Sequence, residues 1–232
     1  KRPLPAAAYI ELRIEQGPVL EAAGHPVGIV GGIVGITWSE VTIQGQADHA
    51  GPSPMPLRHD ALTAAAHVIA GVERLAIEQD DTAVATVGRL AIAPDIINTI
   101  PGTATFSVDF RHRDPAGLDL KVNRLRMLVD QISQERGVAG TVDRFWTSEP
   151  TPFDPRVVSA VRRAVNELGL PEHELWSGAG HDAKYVADTS PAGMIFIRSQ
   201  GGLSHCEMES SSDEDLIAGA NVLLLATMEL AG

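Results

Sequence analysis

Six short segments of this chain set polar side chains beside glycines or at predicted strand ends, where binding and catalytic sites tend to form. They are Glu15-Gln16-Gly17, Asp48-His49-Ala50-Gly51, Asn98, Arg111, Gly178-Ala179-Gly180-His181-Asp182 and Ser204-His205. The residue types suit two kinds of chemistry. A guanidinium fork matches a carboxylate, and a neutral imidazole suits zinc, manganese, cobalt or nickel. Taken singly, each residue also has an ordinary structural role. His49 fits a surface turn, and Asn98 before Thr99-Ile100-Pro101 can shape one. Arg111 at a strand end fits a surface ion pair, His181 can cap a helix begun by Asp182, and His205 can flank a helix. Compact signatures are absent: there is no HExxH, P-loop or EF-hand pattern, and GIVGGIVG lacks the GxGxxG spacing.

The elements that must carry these segments fall into two groups. In the middle, residues 37–45 alternate as a strand with Val41 and Ile43 on one face. Residues 58–78 read as a helix with Leu62, Ala66, Ile69 and Val72 at three- and four-residue spacing. Strands follow at 83–90 and 103–111, then a helix over 116–136 carrying Leu118, Val122, Leu125 and Val129. Gly137 is placed to end that helix, and a last strand covers 138–146. The order βαββαβ is the split ferredoxin-like arrangement. The flanks read as strands at 8–14 and 27–36, a helix at 155–168 with Val158, Val161, Val165 and Leu168 inward, and a buried parallel strand at 192–198. A final helix starts near Asp213 as N-cap and carries Leu216, Ala220 and Leu223. Alternating strands and helices predict a parallel α/β layer. One discontinuous domain over 1–36 and 151–232 is therefore expected, with an α+β unit over 37–150 inserted in it. Residues 31–35 and 147–155 are the expected hinges.

Bulk properties narrow the function. A net charge of −12 argues against nonspecific nucleic-acid binding, while a local arginine can still receive an anionic substrate. A single cysteine, Cys206, excludes an internal disulfide framework and a CxxC metal site, which points to a reducing cytoplasm. No apolar run reaches the roughly 20 residues of a membrane-spanning helix. The chain starts with Lys1, without a secretory pattern, as a piece of a longer protein would.

Seven motifs in order, EQGPVLE (15–21), ADHAGPSPM (47–55), INTIPG (97–102), DFRHRD (109–114), SGAGHDA (177–183), MIFIR (194–198) and GLSH (202–205), make the chain resemble a known family along nearly its whole length. These are the N-carbamoyl-L-amino acid hydrolases, with allantoate amidohydrolases close by, in the metal-dependent aminoacylase/carboxypeptidase superfamily. The resemblance implies a partial metallohydrolase catalytic domain with an inserted domain that dimerises and acts as a lid. It implies a homodimer through residues 37–150, a small-molecule substrate and two divalent metal ions (zinc, manganese, cobalt or nickel) in the complete enzyme. By position, His205 is the implied metal ligand. His49 is the implied catalytic residue, stabilising charge that develops on the attacked carbonyl. Asn98 and Arg111 correspond to residues that grip the substrate α-carboxylate, and Gln16, Gly180 and His181 to residues that line the pocket. In the family a metal-bridged water attacks the ureido carbonyl with a glutamate as general base.

Two departures bear on activity. Arg13 in ELRIEQGP stands where the family has a ligand histidine, and a guanidinium cannot ligate a cation. The family's remaining ligands and its general-base glutamate belong to a segment that has no counterpart here. The chain is therefore expected to retain no metal and to be inactive alone. A smaller departure is Glu207, where the family commonly has proline. Other readings are an allantoate amidohydrolase and, from another class, a noncatalytic dimerisation or carboxylate-binding module.

Overall fold

A computed structural model describes residues 6–78 and 82–232. In chain order its elements are β1 (Tyr9–Ile14), α1 (Val19–Ala23), β2 (Val27–Ile33), β3 (Gly35–Gln44), β4 (Asp48–His49), α2 (Ala61–Ile77), β5 (Val84–Thr86) and β6 (Leu90–Ala93). There follow β7 (Thr99–Ile100), β8 (Thr103–His112), α3 (Pro115–Arg136), β9 (Ala139–Ser148), β10 (Thr151–Pro152), α4 (Pro155–Glu167), β11 (Glu174–Ser177), α5 (Asp182–Val186), β12 (Ala192–Ile197) and α6 (Asp213–Ala231). Short 3₁₀ turns cover Met55–Leu57 and Gln200–Gly202. The chain forms two units, one of residues 1–34 and 151–232, the other of residues 35–150.

In the first unit the apolar run of β12 is buried at every position. Ile195 and Ile197 face α4 and α6, with Val161, Val165 and Val222, while Met194 and Phe196 pack on the other side with Leu20 and Ala183. Burial on both faces removes any reason for polar alternation. The parallel layer expected from the sequence is in fact mixed. β1 runs parallel to β12, β12 antiparallel to β2, and β2 parallel to β11. Gly31 and Gly32 lie within β2, where a Cβ on Gly32 would meet the Trp176 ring and the Thr151 carbonyl. Close packing, as well as chain direction, accounts for those glycines.

The expected inward face of α6 is displaced. Asp215, Gly219, Val222 and Ala226 are buried, whereas Leu216 is 46% exposed. Asp215 takes an inward position because its carboxylate accepts from Arg198 Nε and Nη2, each at 3.0 Å. Gly219 sits where a Cβ would strike Ile197. The N-cap is Ser212, one residue before Asp213, its hydroxyl accepting from Asp215 N–H. Leu168, expected inward on α4, is the exposed C-cap.

In the second unit β3 lies between β8 and β9, both antiparallel to it, and β5 and β6 pair with β8. The connectivity is βαββαβ. The strand expected at 83–90 extends to Ala93 and is broken at Val87–Arg89. Thr86 opposes Asp109 and Leu90 opposes Phe106, so the β8 partner carries one residue fewer. Helices α2 and α3 cover one face, over Val41, Ile43, Phe106, Val108 and Phe110. Helix α2 begins at Ala61, after Asp60 caps it through Thr63 N–H at 2.9 Å, and not at Arg58. Its buried face runs through Ala64, Ala65, Val68, Val72 and Leu75, while Ala66 is exposed. Alanine is plentiful on every side of this helix, so spacing leaves its phase ambiguous. Packing chooses the face on which Gly71 admits Leu128 of α3. Lys121 is buried, and its ammonium donates to the carbonyls of Leu75, Ala76 and Glu78, the unsatisfied groups at the end of α2.

No described helix is long and apolar enough to cross a membrane.

Candidate functional site

In the first unit, the turn after β1 is shaped by Glu15, whose carboxylate accepts from Val19 and Leu20 N–H at 2.8 Å each and so caps α1. This frees the chain to turn at Gln16, which adopts left-handed backbone geometry at φ 59°. Gln16 donates from its backbone N–H to Ser199 Oγ at 3.0 Å and from Nε2 to Ser204 Oγ at 3.1 Å. The loop of His205 is thereby held against the loop of Gln16. His205 is also left-handed at φ 59°, and its N–H donates to Glu209 Oε2 at 2.9 Å. That bond, followed by one from Ser204, holds the Glu209 carboxyl below its ordinary range. Gln16, His205, Cys206, Glu207 and Glu209 line an open depression of about 500 Å³.

A second cluster of this unit surrounds α5. Ser177 Oγ donates to the Ala179 carbonyl at 2.9 Å and lies 3.0 Å from His181 Nε2. With the hydroxyl proton directed at Ala179, the imidazole must donate, which places a proton on Nε2. His181 is the N-cap residue of α5, which begins at Asp182, and makes no side-chain capping bond there. It is buried edge-on against Phe196, with centroids 5.7 Å apart. Gly180 is exposed, and open space surrounds the position its Cβ would take.

Burial lowers the His181 pKa, Arg13 lowers it further, and Glu11 and Asp182 partly oppose this. A folded-state pKa below 6.5 means that the unfolded chain binds more protons through that region. Stability is therefore full above the ordinary histidine value and is lost as pH falls below it. Melting temperatures between about pH 5 and about pH 8 are expected to show this slope. The His181→Gln variant should flatten it, and an unchanged slope would count against the assignment.

Arg13 lies on β1, its Nε donating to Glu11 Oε1 at 2.7 Å, while Glu11 Oε2 accepts from Ala183 N–H at 2.7 Å. One carboxylate thus serves both a guanidinium and the start of α5. Among the described residues no three His, Cys, Asp or Glu side chains gather as a ligand set. His205 with a fixed cation at Arg13 does not compose a two-metal centre, so the described residues do not fit that group.

In the second unit, β4 pairs with β7, setting His49 opposite Thr99, and Ala50 N–H donates to the Asn98 carbonyl at 2.9 Å. The fold thus brings His49 and Asn98 together. His49 Nδ1 accepts from Gly51 N–H at 3.0 Å, so the neutral ring carries its proton on Nε2. The loop is pinned by Asp48, which accepts from Ser53 Oγ at 2.5 Å and from His49 N–H at 2.7 Å. Those bonds, the Ser53 one first, hold the Asp48 carboxyl below its usual range. Arg58 closes the loop by donating to the Ser53 and Ala50 carbonyls.

Arg111 stands on β8, on the sheet face not covered by helices. Its Nε and Nη2 donate to Asp109 Oδ1 and Oδ2 at 3.1 and 2.9 Å, and Trp38 Nε1 donates to the same Oδ2 at 3.0 Å. Trp38, Asp109 and Phe145 are not among the site residues expected from the sequence. Alternation on β3 and β8 could have found the first two; Phe145 depends on a bulge.

Residues 2–229 match the family described as Peptidase family M20/M25/M40. The N-carbamoyl-L-amino acid amidohydrolase of Geobacillus stearothermophilus is 42% identical over 231 residues, covering 100% of this chain and 56% of the relative. An allantoate amidohydrolase of Bacillus subtilis (strain 168) is 35% identical over 97% of this chain and 55% of its own length. The crystal structure of a putative amidohydrolase/peptidase from Burkholderia cenocepacia superposes with a TM-score of 0.95 at 44% identity, covering 98% of this chain and 56% of that one. The chain spans about half the length of the curated relatives it matches.

Proposed function

This chain belongs to peptidase family M20/M25/M40, and on that premise we propose that the protein is part of an amidohydrolase acting on the linear ureido C–N bond of N-carbamoyl-L-amino acids. The observation that carries the reading is the guanidinium of Arg111, fixed in plane by the two oxygens of Asp109. A guanidinium held in place in this way is of the type that matches the α-carboxylate every such substrate bears. Asn98 adds polar atoms beside His49. The Nε2 proton of His49 suits donation to the carbonyl oxygen as negative charge develops there. Gln16, Gly180 and His181 line the substrate side in this reading, and His205 is the residue of metal-ligand type. The complete enzyme would use two divalent metals, whereas the chain alone is expected to be inactive. The reading also carries a homodimer through residues 37–150, a domain division at about residues 36 and 150, and a cytoplasmic setting. Three relatives named for N-carbamoyl-L-amino acids, 39–42% identical, are more similar than the allantoate amidohydrolases at 35%, which favours the former as substrate class.

A second reading, a carboxylate-binding module without turnover, is favoured by the fixed cation at Arg13. One experiment separates the two. Ammonia release and bound metal are measured for this chain and for Arg13→His, each alone and joined to the segment of the Geobacillus stearothermophilus relative that the chain does not match. Hydrolysis by the joined Arg13→His protein and none by the chain alone is the expected result. Binding without hydrolysis in every combination leaves the module, and turnover by the chain alone overturns its expected inactivity.

A further inference from the structure

The uncovered face of the second unit's sheet holds a pocket of about 450 Å³ lined by both aromatic and polar side chains. Trp38, Phe145, Ser107, Asp109 and Arg89 line it, with the backbone at Gly88. Two strand irregularities make it. On β9 the pairing passes from Trp38↔Trp146 to Ser39↔Arg144, leaving Phe145 as an extra residue. Bulges of this kind re-aim side chains, and here Phe145 and Trp146 both lie beside Trp38, with ring centroids 6.3 and 4.4 Å from it. On the other side, the break at Val87–Arg89 carries Gly88 and Arg89 out of regular pairing with β8.

Asp109 ties this pocket to Arg111. One oxygen, Oδ2, accepts from both Trp38 Nε1 and Arg111 Nη2, so indole and guanidinium nitrogens lie within about 6 Å of each other. A carboxylate docked on the guanidinium would have an aromatic wall within the reach of its own β-substituent.

We propose that this pocket receives the aromatic side chain of an amino-acid ligand whose α-carboxylate is held by Arg111, so that the protein selects aromatic N-carbamoyl-L-amino acids. The carbamoyl part rests on the function proposed above, and the aromatic selection rests on the pocket. The indole of Trp38 is locked by its bond to Asp109, so little side-chain freedom is lost on stacking. Offset or edge-on ring contacts with Trp38 and Phe145 suit an aryl group better than an alkyl one. Asp109 is a positioning residue here, fixing both the ring and the fork.

The test uses the protein's own fluorescence. Of its three tryptophans, Trp38 and Trp146 adjoin the pocket, so a Trp176→Phe background reports on that face. N-carbamoyl-L-phenylalanine, N-carbamoylglycine and L-phenylalanine are titrated, and the same three are followed by calorimetry on the unsubstituted chain. Calorimetry keeps the test valid if Trp176→Phe fails to fold. Saturable binding of the phenylalanine derivative, about tenfold tighter than the glycine derivative, is expected from partial burial of one ring. Phe145→Ala should remove most of that preference. Equal affinity for the two derivatives overturns the pocket and leaves the carbamoyl reading standing. L-Phenylalanine binding as tightly as its carbamoyl derivative supports the pocket and removes the carbamoyl reading. No saturable response, or emission that follows protein concentration in place of ligand, overturns the pocket because a second copy or nothing at all occupies that face.

Discussion

Arg111→Ala is expected to weaken binding of N-carbamoyl-L-amino acids by about 30-fold, read as Kd by calorimetry. Removing one partner of a hydrogen-bonded charge pair at a binding site costs roughly 2–5 kcal/mol, and about 1.4 kcal/mol is tenfold in affinity. The lower end applies here for two reasons. The Arg111 side chain is 33% exposed, so solvent screens it, and Asp109 already offsets part of its charge. Arg111→Lys should recover little, because an ammonium is a point charge that cannot engage both Asp109 oxygens and a ligand carboxylate in one plane. A ligand whose carboxylate is converted to an amide should bind the parent and the Arg111→Ala variant alike. Equal loss of both ligands would mean that Arg111 acts through the fold and not through the carboxylate.

Arg198→Ala should have the largest effect on stability, lowering unfolding free energy of the first unit by about 3 kcal/mol. Its guanidinium makes two bonds to Asp215, whose side chain is 2% exposed and also accepts from Ser212 Oγ at 2.8 Å. Removing a partner from such a pair strands a buried charge, which costs roughly 3–5 kcal/mol. Arg198 itself is 31% exposed, and water entering the vacated space holds the figure near the lower bound. A fall of about 6–12 °C in the melting temperature follows from the usual scaling for chains of this size. The double variant Arg198→Met, Asp215→Leu is expected to regain most of the loss, since it removes both charges together. If it does not, the bridge does more than neutralise, and the N-cap at Ser212 is the next group to examine.

The elements that were legible in the sequence are those whose burial is one-sided and regular. Strand β8 alternates Phe106, Val108 and Phe110 with polar residues because helices cover only one of its faces. Helix α3 reads correctly from Leu118 to Val129 because its opposite side is charged. The glycine-flanked polar segments were visible for a different reason: glycines and prolines punctuate the chain at turns, whatever surrounds them. Each individual role depended on neighbours. His49 could be given a tautomer only once Gly51 N–H was seen at its Nδ1, and His181 only once Ser177 was seen to spend its proton elsewhere.

What escaped the sequence was set by contacts between distant residues. The phases of α2 and α6 followed from Gly71 against Leu128, Gly219 against Ile197, and Asp215 against Arg198, none of which leaves a periodic mark. Strand direction in the first sheet was equally hidden, because a buried apolar run such as Met194–Ile197 reads the same in either orientation. The aromatic pocket depends on one unpaired residue in β9, and a one-residue shift of register changes which face a side chain occupies. The sequence alone thus settled which residue types and segments are available for chemistry. Their partners, protonation and facing were decided by long-range packing, because a side chain's environment is made by residues far from it along the chain.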